Sequence, residues 1–280
     1  MNLENKLKEA STLLKSHNIL SHRLDAEILI SHIMGIKREL LYSKSSVKLP
    51  KNKLKKFNYA ISRRIKNEPI AYITGVKEFW NHNFIVNNSA LLPRPETELL
   101  LYKLIDFFKS KKNIKILDIG TGSGCILLSL LKEIEHSKGI GIDISAKAIN
   151  LAKINSKRLD LTDRVIFKVF NIDKFLLGKY DLVVSNPPYI PKREIKNLSK
   201  DITNYEPLLA LNGGIDGLDL ITKVIYRSNI LLKKNGLLAI EIGLNQYKKV
   251  SFLLKQYKFR ELSKEYDYKD NVRCIISTKM

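Results

Sequence analysis

The sequence predicts an α/β fold in which a mostly parallel sheet, covered by helices on both faces, follows a small helical domain and a β-hairpin. From Asn113 onward, short β-type runs mostly alternate with helical stretches, as they do in parallel sheets. The first 65 or so residues have helical patterning and no convincing strand. Between these regions, two aromatic runs flank a short polar segment, which is typical of a hairpin.

A small helical domain is predicted for residues 1–67. Its first helix carries apolar residues at helical spacing, namely Leu3, Leu7, Ala10 and Leu14. We expect Ser21 to be the N-cap of a second helix that ends at Met34, where Gly35 stops it. A third helix is expected from about Pro50 to Lys66.

A linker with a β-hairpin is predicted for residues 68–95. Phe79-Trp80 and Phe84-Ile85-Val86 have strand character, and Asn81-His82-Asn83 between them is expected to form the turn. A helix should begin near Thr97, because an apolar stripe follows. The stripe consists of Leu100, Leu101, Leu104, Ile105 and Phe108.

Residues 96–280 are predicted to form the sheet domain. Its expected strands cover residues 114–119, 139–144, 165–169, 182–185 and 237–242. Two further runs, 259–265 and 272–277, are joined by a polar turn rather than a helix. An antiparallel edge is therefore expected at the end of the chain.

Composition argues against several classes of protein. Apolar residues make up 44% of the chain and charged residues 28%, which is ordinary for a globular protein with its own core. No apolar run reaches the roughly 18 residues of a membrane span, and the chain does not start like a signal peptide. Cys125 and Cys274 have neither metal-ligand spacing nor a disulfide framework. We therefore expect a cytoplasmic protein without a metal centre or a membrane partner.

The positive charge has two interpretations. Lys and Arg outnumber Asp and Glu by 49 to 28, and the resulting net charge of +21 can attract RNA. However, 38 of the basic residues are Lys, spread along the whole chain, whereas base recognition relies on Arg at specific positions. Codon bias and solubility explain the charge better, with at most a weak attraction to RNA-rich assemblies. We expect no stable nucleic-acid binding.

A glycine-rich loop follows the first strand of the sheet domain, in the segment Asp118-Ile119-Gly120-Thr121-Gly122-Ser123-Gly124-Cys125. Glycines at alternate positions allow a sharp turn and a close approach of the backbone to a ligand. In open α/β sheets, ligands bind beyond the carboxyl ends of the strands. The next strand ends near Asp143, 23 residues after Gly120, where a carboxylate can accept from both hydroxyls of a ribose.

Two nucleotide cofactors fit such a loop. Dinucleotides prefer the spacing G-x-G-x-x-G, but the third glycine comes one residue early here and Cys125 occupies the usual position. The G-x-G-x-G spacing, followed by an acidic strand end, resembles the S-adenosylmethionine site of Rossmann-like methyltransferases. The alternative is that the glycine-rich turn has a purely structural role and binds no ligand.

A second segment at the same edge of the sheet is Asn186-Pro187-Pro188-Tyr189, which directly follows an apolar strand. Each proline lacks an N–H, and Pro187 forces Asn186 into an extended conformation. The segment therefore presents two acceptors, the Asn186 side-chain oxygen and the Pro187 carbonyl oxygen, to a planar NH₂ group. Tyr189 adds a flat face for stacking. A plain strand terminator would explain the prolines but not their Asn and Tyr neighbours.

Such a pair of acceptors favours methylation of a conjugated nitrogen. The lone pair of an amide or exocyclic amine is delocalised, so this nitrogen is a poor nucleophile. Hydrogen bonds from its two protons strengthen as the nitrogen gains positive charge, which stabilises the transition state more than the ground state. No carboxylate base or metal is required before the methyl group moves.

Six segments of the chain carry a family resemblance. In order, they are Arg23-Leu24-Asp25-Ala26-Glu27, Glu68-Pro69-Ile70-Ala71-Tyr72-Ile73-Thr74-Gly75, Pro93-Arg94-Pro95-Glu96-Thr97-Glu98, Asn186-Pro187-Pro188-Tyr189, Tyr205-Glu206-Pro207-Leu208-Leu209-Ala210-Leu211 and Asp270-Asn271-Val272-Arg273. Together they resemble the release-factor glutamine methyltransferases, the HemK family, over nearly the whole chain. The Asn-Pro-Pro-Tyr tetrapeptide alone is shared with adenine-N6 and some guanine-N2 methyltransferases, whereas the Arg-Pro-Glu-Thr-Glu segment makes the resemblance specific.

The resemblance implies methyl transfer from S-adenosylmethionine to the side-chain N5 of the glutamine in the Gly-Gly-Gln motif of class-1 peptide release factors. The implied cofactor-binding residues are Gly120, Thr121, Gly122, Ser123, Gly124, Asp143, Asn171 and Asn186. Asn171 departs from the family pattern, which often has an Asp followed by an aromatic residue there. The implied catalytic residues are Asn186, Pro187 and Tyr189, and Pro188 joins them in binding the glutamine.

Several roles stay open in the sequence. The helical domain is implied to grip the release factor, or it is a scaffold only. Arg94, Glu96 and Glu98 either line the glutamine pocket or, for the two glutamates, favour a helix N-terminus. Glu241 is open in the same way. Cys125 is expected to be a packing residue, and His82 a hairpin residue.

Two rival functions remain beside the glutamine methyltransferase. An enzyme that methylates adenine-N6 or another nucleic-acid base would share the tetrapeptide, but such enzymes extract the base from its stack and commonly carry an added recognition domain. A binding module without activity is disfavoured because both motifs are intact. The expected partner is thus a protein, and the expected oligomeric state a monomer.

Overall fold

The computed structural model describes residues 2–41, 43 and 46–280. Met1, Tyr42, Lys44 and Ser45 of the predicted helical domain lie outside these described residues. Two compact units are present. The first unit runs through Val76 and includes Ser199–Tyr205, and the second comprises Lys77–Leu198 and Glu206–Met280. Within the described ranges, no helix is long and apolar enough to cross a membrane.

The helices and strands are numbered in chain order. The helices are α1 (Leu3–Ser16), α2 (His22–Met34), α3 (Lys51–Ile65), α4 (Ile70–Thr74), α5 (Thr97–Phe108), α6 (Cys125–Glu133), α7 (Ala146–Arg158), α8 (Lys200–Tyr205), α9 (Asp219–Leu231) and α10 (Tyr247–Gln256). The strands are β1 (Val76–Phe79), β2 (His82–Ile85), β3 (Lys115–Ile119), β4 (Lys138–Asp143), β5 (Val165–Val169), β6 (Tyr180–Ser185), β7 (Leu232–Glu241), β8 (Phe259–Tyr266) and β9 (Val272–Lys279).

The first unit is a helical bundle, and its three predicted helices are confirmed as α1, α2 and α3. Its core is built from the apolar residues of all three helices, which are removed from water together. The largest buried members are Leu3, Leu14, Leu29, Ile30 and Phe57. The short helix α4 was not predicted, and α8 joins this unit through the Tyr205 hydroxyl, which donates to the Lys66 carbonyl over 3.0 Å.

Both ends of α2 lie at the predicted residues, but they differ in how they are capped. Gly35 ends the helix in the left-handed region at φ 70°, as expected of a C-terminal glycine. Ser21 occupies the expected N-cap position, but its side chain makes no capping hydrogen bond. Its hydroxyl donates instead to Asp25, 2.9 Å away, whose carboxylate also accepts from Arg64 over 2.7 Å.

The hairpin is present, but its turn is displaced from the predicted position. The two-residue turn is Trp80-Asn81 rather than Asn81-His82-Asn83, and His82 belongs to β2. Both turn residues have positive φ, at 48° and 59°, as tight hairpin turns require. Such a φ is unusual for tryptophan, and two acidic side chains hold it. The Trp80 N–H donates to Glu98 and its indole N–H to Glu133, each over 2.9 Å.

The second unit contains a seven-stranded sheet with the order β5-β4-β3-β6-β7-β9-β8. The five strands from β5 to β7 are parallel, and β9 pairs antiparallel with both β7 and β8. All seven predicted strands and the antiparallel edge are therefore confirmed. The largest difference in length is at β7, which begins at Leu232 instead of Leu237, whereas β6 and β9 are each two residues longer than predicted.

Helices cover both faces of this sheet. The helices α9 and α10 pack on the face that carries Leu117, Val183 and Leu238. On the other face, a Cβ added to Gly139 of β4 would lie 2.5 Å from Leu127, so α6 lies directly over this strand. This two-sided burial removes the apolar side chains of the central strands from water. The polar residues that end these strands are left at the carboxyl edge of the sheet.

Candidate active site

The carboxyl ends of three neighbouring parallel strands bring the predicted site segments together. In the sheet, β3 lies between β4 and β6. Ile119 at the end of β3 pairs with Ile142 of β4. On the other side, the Ser185 hydroxyl at the end of β6 donates to the Ile119 carbonyl over 2.7 Å. The glycine loop, Asp143 and Asn186 therefore leave the sheet at one edge.

The glycine loop turns sharply because its three glycines have left-handed backbone conformations. The φ angles are 74° at Gly120, 55° at Gly122 and 81° at Gly124, a region in which a Cβ is unfavourable. The N–H groups of Gly120 and Thr121 both donate to the Ile142 carbonyl, over 2.9 and 3.0 Å. The neighbouring strand thus fixes the start of the loop.

Asp143 holds the loop from the side of β4. Its carboxylate accepts from the backbone N–H of Gly122 over 3.0 Å and from that of Ser145 over 2.9 Å. Burial raises the pKa of Asp143, although these backbone donors partly oppose the increase. A carboxylate offers about four acceptor positions, so Asp143 keeps capacity for further donors such as the hydroxyls of a ribose.

Asp118, directly below the loop, gives the clearest sign that a ligand belongs here. It is fully buried, and one of its oxygens accepts from the Thr121 hydroxyl over 2.7 Å. The other oxygen has no hydrogen bond of normal geometry among the described residues, although the Leu127 N–H in the first turn of α6 is near enough to lower the pKa of this carboxyl slightly. Burial raises the pKa of Asp118 to about 7. Since buried acceptors are nearly always paired, this orphaned oxygen fits a ligand that brings donors, such as the amino group of S-adenosylmethionine.

Space for such a ligand exists over the loop. A Cβ built on Gly120 would meet no atom within 4 Å. The open glycine, the orphaned Asp118 oxygen and the Asp143 carboxylate therefore fit the predicted cofactor. The sequence pointed to the loop and to Asp143, but it assigned no role to Asp118, for which the only signal was a carboxylate inside an apolar strand.

Asn155 of α7 is a structural support of the loop that the sequence patterns did not reveal. It is fully buried, and its NH₂ group donates to the Ser123 carbonyl over 2.9 Å and to the Ile85 carbonyl over 3.0 Å. Its oxygen accepts from the Ile85 N–H over 2.8 Å. One amide thus links the glycine loop to hairpin strand β2. The signal was an Asn on the apolar face of a helix.

Asn171 follows β5 at the same edge of the sheet and is exposed. Its side-chain oxygen accepts from the Asp173 N–H over 2.9 Å and caps a short 3₁₀ turn. The NH₂ group is the part of this side chain left to donate, so an adenine edge would be met by a donor here.

Asn186 begins the tetrapeptide after β6 and connects to two buried residues. Its NH₂ group donates to the Thr97 hydroxyl oxygen over 3.2 Å. The Thr97 hydroxyl in turn donates to the Glu241 carboxylate over 2.6 Å. Thr97 and Glu241 are only 2% and 0% exposed, so this connection is shielded from water. Among the described residues, no donor bonds the Asn186 side-chain oxygen.

The backbone of the tetrapeptide is held from its C-terminal side. The buried Gln246 side chain donates to the Tyr189 carbonyl over 2.9 Å and to the Gly217 carbonyl over 3.3 Å. Gly217 is required beside Tyr189, because a Cβ there would lie 2.2 Å from the Tyr189 carbonyl oxygen. By contrast, no backbone donor of the described residues bonds the Pro187 carbonyl. The two acceptors that the sequence predicted are both left for a ligand.

Tyr189 is held by charged groups as well. Its hydroxyl donates to Glu241 over 3.1 Å and accepts from Arg273 over 3.0 Å. The Arg273 guanidinium lies over the Tyr189 ring, 5.8 Å from its centroid. Burial raises the pKa of Tyr189, as it does that of Glu241. The sequence left the role of Glu241 open. In the structure, its buried carboxylate contacts Thr97, Tyr189 and Arg273.

Two of the remaining motif residues, Arg94 and Glu98, hold loops in place. Arg94 forms an ion pair with the buried Glu206, which also accepts from the Leu92 N–H over 3.3 Å. The motifs at residues 93–98 and 205–211 thus meet through one carboxylate. Glu98 accepts from the Trp80 N–H at the hairpin turn. Glu96 occupies the N-cap position of α5 and makes no side-chain capping bond.

Two family models match the chain. One is described as the PrmC N-terminal domain and matches residues 5–75. The other is described as a methyltransferase domain and matches residues 110–241. The second match contains the glycine loop, Asp143 and the Asn-Pro-Pro-Tyr segment, and it ends at Glu241.

Curated relatives match from end to end. A release factor glutamine methyltransferase of Buchnera aphidicola subsp. Schizaphis graminum is 40% identical, with 100% of each chain covered. Another, from Buchnera aphidicola subsp. Baizongia pistaciae, is 37% identical, again with 100% of each chain covered. The Clostridium acetobutylicum protein of the same name is 36% identical over 100% of this chain and 99% of its own.

Solved structures support the fold of the sheet domain. A Thermus thermophilus 16S rRNA N2 G1207 methyltransferase, in complex with AdoMet and guanosine, has a TM-score of 0.54 at 16% identity. The match covers 73% of this chain and 50% of that one. A ribosomal protein L11 methylase from Lactobacillus delbrueckii has a TM-score of 0.50 at 19% identity, over 68% of this chain and 82% of that one.

The full-length matches agree with what the geometry of the site requires. The loop fits a cofactor that brings donors, and the tetrapeptide presents two acceptors beside it. Identity of 36–40% over the whole length exceeds what fold similarity alone produces among the solved structures. The chain therefore belongs to the release factor glutamine methyltransferase family.

Proposed function

We propose that this chain methylates the side-chain N5 of the glutamine in the Gly-Gly-Gln motif of class-1 peptide release factors, with S-adenosylmethionine as the methyl donor. One observation carries the proposal. The Asn186 side-chain oxygen and the Pro187 carbonyl oxygen are left without donors among the described residues, at the edge of the sheet that also holds the glycine loop. Two such acceptors suit the two N–H groups of a primary carboxamide.

The acceptors act on the glutamine in two ways. They hold the NH₂ group in one place, which removes much of the entropy loss of bringing two reactants together. They also bind the two protons of the NH₂ group more strongly as positive charge develops on the nitrogen. The hydrogen bonds therefore stabilise the transition state more than the ground state. When bound, S-adenosylmethionine supplies an electrophilic methyl group on a sulfonium. The protein needs no general base before methyl transfer.

The cofactor would be held by the loop and the strand ends. We assign its contacts to Gly120, Thr121, Gly122, Ser123, Gly124, Asp143, Asn171 and Asn186. Asp143 would accept from the ribose hydroxyls, and Asn171 would donate to the adenine edge. Asp118, with its orphaned buried oxygen, extends this set toward the amino-acid part of the cofactor.

Pro188 and Tyr189 complete the glutamine site in this proposal. Pro188 keeps the backbone free of a competing N–H, and the Tyr189 ring provides a rigid wall beside the carboxamide. Tyr189 is well placed for this role because Arg273 and Glu241 fix its hydroxyl.

The helical unit is assigned to recognition of the release factor. The division into a substrate-binding domain (1–67), a hairpin linker (68–95) and a methyltransferase domain (96–280) is part of the proposal. The substrate is a cytoplasmic translation factor, so we place the enzyme in the cytoplasm, and we propose that it acts as a monomer without stable nucleic-acid binding.

The rival function is methylation of a nucleic-acid base, which uses a similar pair of acceptors. The two are separated by one assay with methyl-labelled S-adenosylmethionine. The substrates are a class-1 release factor, the same factor with its Gly-Gly-Gln glutamine changed to Ala, DNA and RNA. We expect label on the unchanged release factor alone. Label on nucleic acid and none on the release factor would overturn the proposal.

A further inference from the structure

We propose that Thr97 and Glu241 are positioning residues that fix the orientation of the Asn186 carboxamide, so that its oxygen, and not its NH₂ group, faces the substrate. This inference rests on the proposed function, because it explains why the Asn186 side-chain oxygen is the group that faces the substrate amide. A carboxamide has an oxygen and a nitrogen of nearly the same shape. Its two orientations would present opposite hydrogen-bonding groups to a glutamine.

The first step concerns the proton of Thr97. An ionised carboxylate can only accept hydrogen bonds, and the Thr97 hydroxyl oxygen lies 2.6 Å from a Glu241 oxygen. Both side chains are buried, so water does not compete for this bond. The single hydroxyl proton of Thr97 is therefore committed to Glu241.

The second step concerns the remaining capacity of Thr97. With its proton committed, the hydroxyl oxygen can only accept, and the nearest polar group of Asn186 lies 3.2 Å away. An Asn186 oxygen turned toward Thr97 would place two acceptors against each other, whereas the NH₂ group forms a hydrogen bond. The favoured orientation should outweigh the other by roughly tenfold or more, since a buried hydrogen bond is gained rather than lost.

The third step concerns the charge of Glu241. Arg273 lies 3.8 Å from this carboxylate and also donates to the Tyr189 hydroxyl over 3.0 Å. That hydroxyl then donates to the other Glu241 oxygen over 3.1 Å. The hydrogen bonds from Thr97 and Tyr189 and the positive charge of Arg273 favour the ionised, accepting form of Glu241 and oppose the increase in its pKa that burial causes. The hydrogen bonds on this side thus run from the Asn186 NH₂ group to Thr97 and from Thr97 to Glu241.

The consequence is chemical specificity for a primary amide nitrogen. With the oxygen outward, Asn186 and the Pro187 carbonyl form a pair of acceptors. With the NH₂ group outward, a donor would face the donors of the glutamine, and the grip on the reacting nitrogen would be lost. Thr97 and Glu241 touch neither substrate nor cofactor in this proposal. Thr97 acts through Asn186, whereas Glu241 also holds the Tyr189 hydroxyl, so Thr97→Val is the more selective of the two variants.

The test uses Thr97→Val, Thr97→Ser and Glu241→Gln in the full chain, with Thr222→Val on α9 as a matched control. Thr97→Val keeps the shape but removes the hydroxyl, and Thr97→Ser restores it. In Glu241→Gln, the new NH₂ group can donate to Thr97, which turns the Thr97 proton toward Asn186 and reverses the amide. We expect kcat for methyl transfer to fall at least tenfold in Thr97→Val and Glu241→Gln. Thr97→Ser should recover most of the rate, and affinity for S-adenosylmethionine should change less than threefold throughout.

Two results separate this inference from the proposed function. If Asn186→Ala loses its rate but Thr97→Val keeps it, the positioning role is overturned and the proposed function stands. If the unchanged enzyme does not methylate the release factor, the proposed function falls. The orientation is then still decided by neutron diffraction from the deuterated protein. Deuterium on the Asn186 nitrogen facing Thr97 supports the inference, and the opposite orientation overturns it without any variant.

Discussion

The Asn155 side chain of α7 donates to the Ser123 carbonyl over 2.9 Å and thereby ties the glycine loop to the helix beneath it. The same side chain exchanges two hydrogen bonds with the backbone of Ile85 in β2. A cofactor loop that must be both open and rigid is thus supported from the protein interior. The hairpin, which the sequence presents as a linker, takes part in this support.

Replacing Asn155 by Ala should therefore affect both stability and cofactor binding. Three backbone groups would lose their partner, and each unpaired buried group costs about 1–3 kcal/mol. We expect the free energy of unfolding to fall by about 3 kcal/mol in denaturant titrations, with weaker binding of S-adenosylmethionine in calorimetry. Asn150→Ala, at an exposed position of the same helix, is the control. Equal effects of the two variants would contradict the role of Asn155.

Asp143→Ala tests the cofactor assignment. If this carboxylate accepts from the ribose, its loss removes one or two charge-assisted hydrogen bonds of about 1.5–3 kcal/mol each. Affinity for S-adenosylmethionine should fall about 10- to 100-fold, while kcat at saturating cofactor changes much less. Asp163→Ala, at an exposed position, controls for the lost charge. An affinity equal to that of the unchanged protein would refute the assignment of Asp143.

Asp118 should make the stability of the cofactor-free protein depend on pH. Burial raises its pKa from 3.8 to about 7 in the folded state. Between these two values the folded state binds more protons than the unfolded state, so the free energy of unfolding falls as pH rises. The free energy of unfolding should fall by about 1.4 kcal/mol for each pH unit in this window, and by up to about 4 kcal/mol above pH 7.

This pH dependence is measured as the difference between the unchanged protein and Asp118→Asn. Urea titrations from pH 4 to pH 8 should show a smaller decline in the variant, because Asn cannot ionise. Asp163→Asn reports the effect of removing an exposed carboxylate. Parallel curves for the unchanged protein and Asp118→Asn would show that Asp118 is not the group responsible.

The rate of methyl transfer should fall at acidic pH as Glu241 becomes protonated. Burial raises the pKa of Glu241, and the nearby charge of Glu96 adds to the increase. Thr97, Arg273 and Tyr189 oppose this increase. Cys274, which is buried and pairs with Glu241 across the sheet, also faces the carboxylate. As pH falls through this pKa, protonated Glu241 can donate to Thr97 and release the Thr97 proton toward Asn186. The rate should then fall on the acidic side.

The measurement is the ratio of kcat in the unchanged enzyme to kcat in Glu241→Gln as a function of pH. The ratio should be large at neutral pH and approach one in acid, because the variant already resembles the protonated state. A ratio that stays constant over the whole range would mean that Glu241 does not titrate in the enzyme that transfers methyl groups.

Most of the architecture could be predicted because it depends on local patterns. Alternating β-type and helical runs predicted the seven strands, and a polar turn between the last two predicted the antiparallel edge. The predicted position of the hairpin turn was wrong because the positive φ of Trp80 is held by Glu98 and Glu133, which lie 18 and 53 residues away in the sequence. Local composition favoured the Asn-rich triplet instead.

The site was only partly predictable for the same reason. The glycine loop and the tetrapeptide are contiguous motifs whose chemistry follows from residue type. The groups that hold them are not contiguous, since Thr97 is 89 residues from Asn186 and 144 from Glu241. A buried Thr, Glu or Asn has no local signature of its partner. Only the folded chain shows which of them meet.

Asn186→Ala gives the most direct test of the whole account, in single-turnover methyl transfer to a class-1 release factor with cofactor saturating. If a side-chain oxygen of the enzyme grips the reacting amide nitrogen, the rate constant should drop at least about 100-fold, in the range seen when one aimed hydrogen-bonding group is removed from an active site. Affinity for S-adenosylmethionine should stay within a few-fold of the original. A variant that transfers the methyl group at the original rate would contradict the central claim.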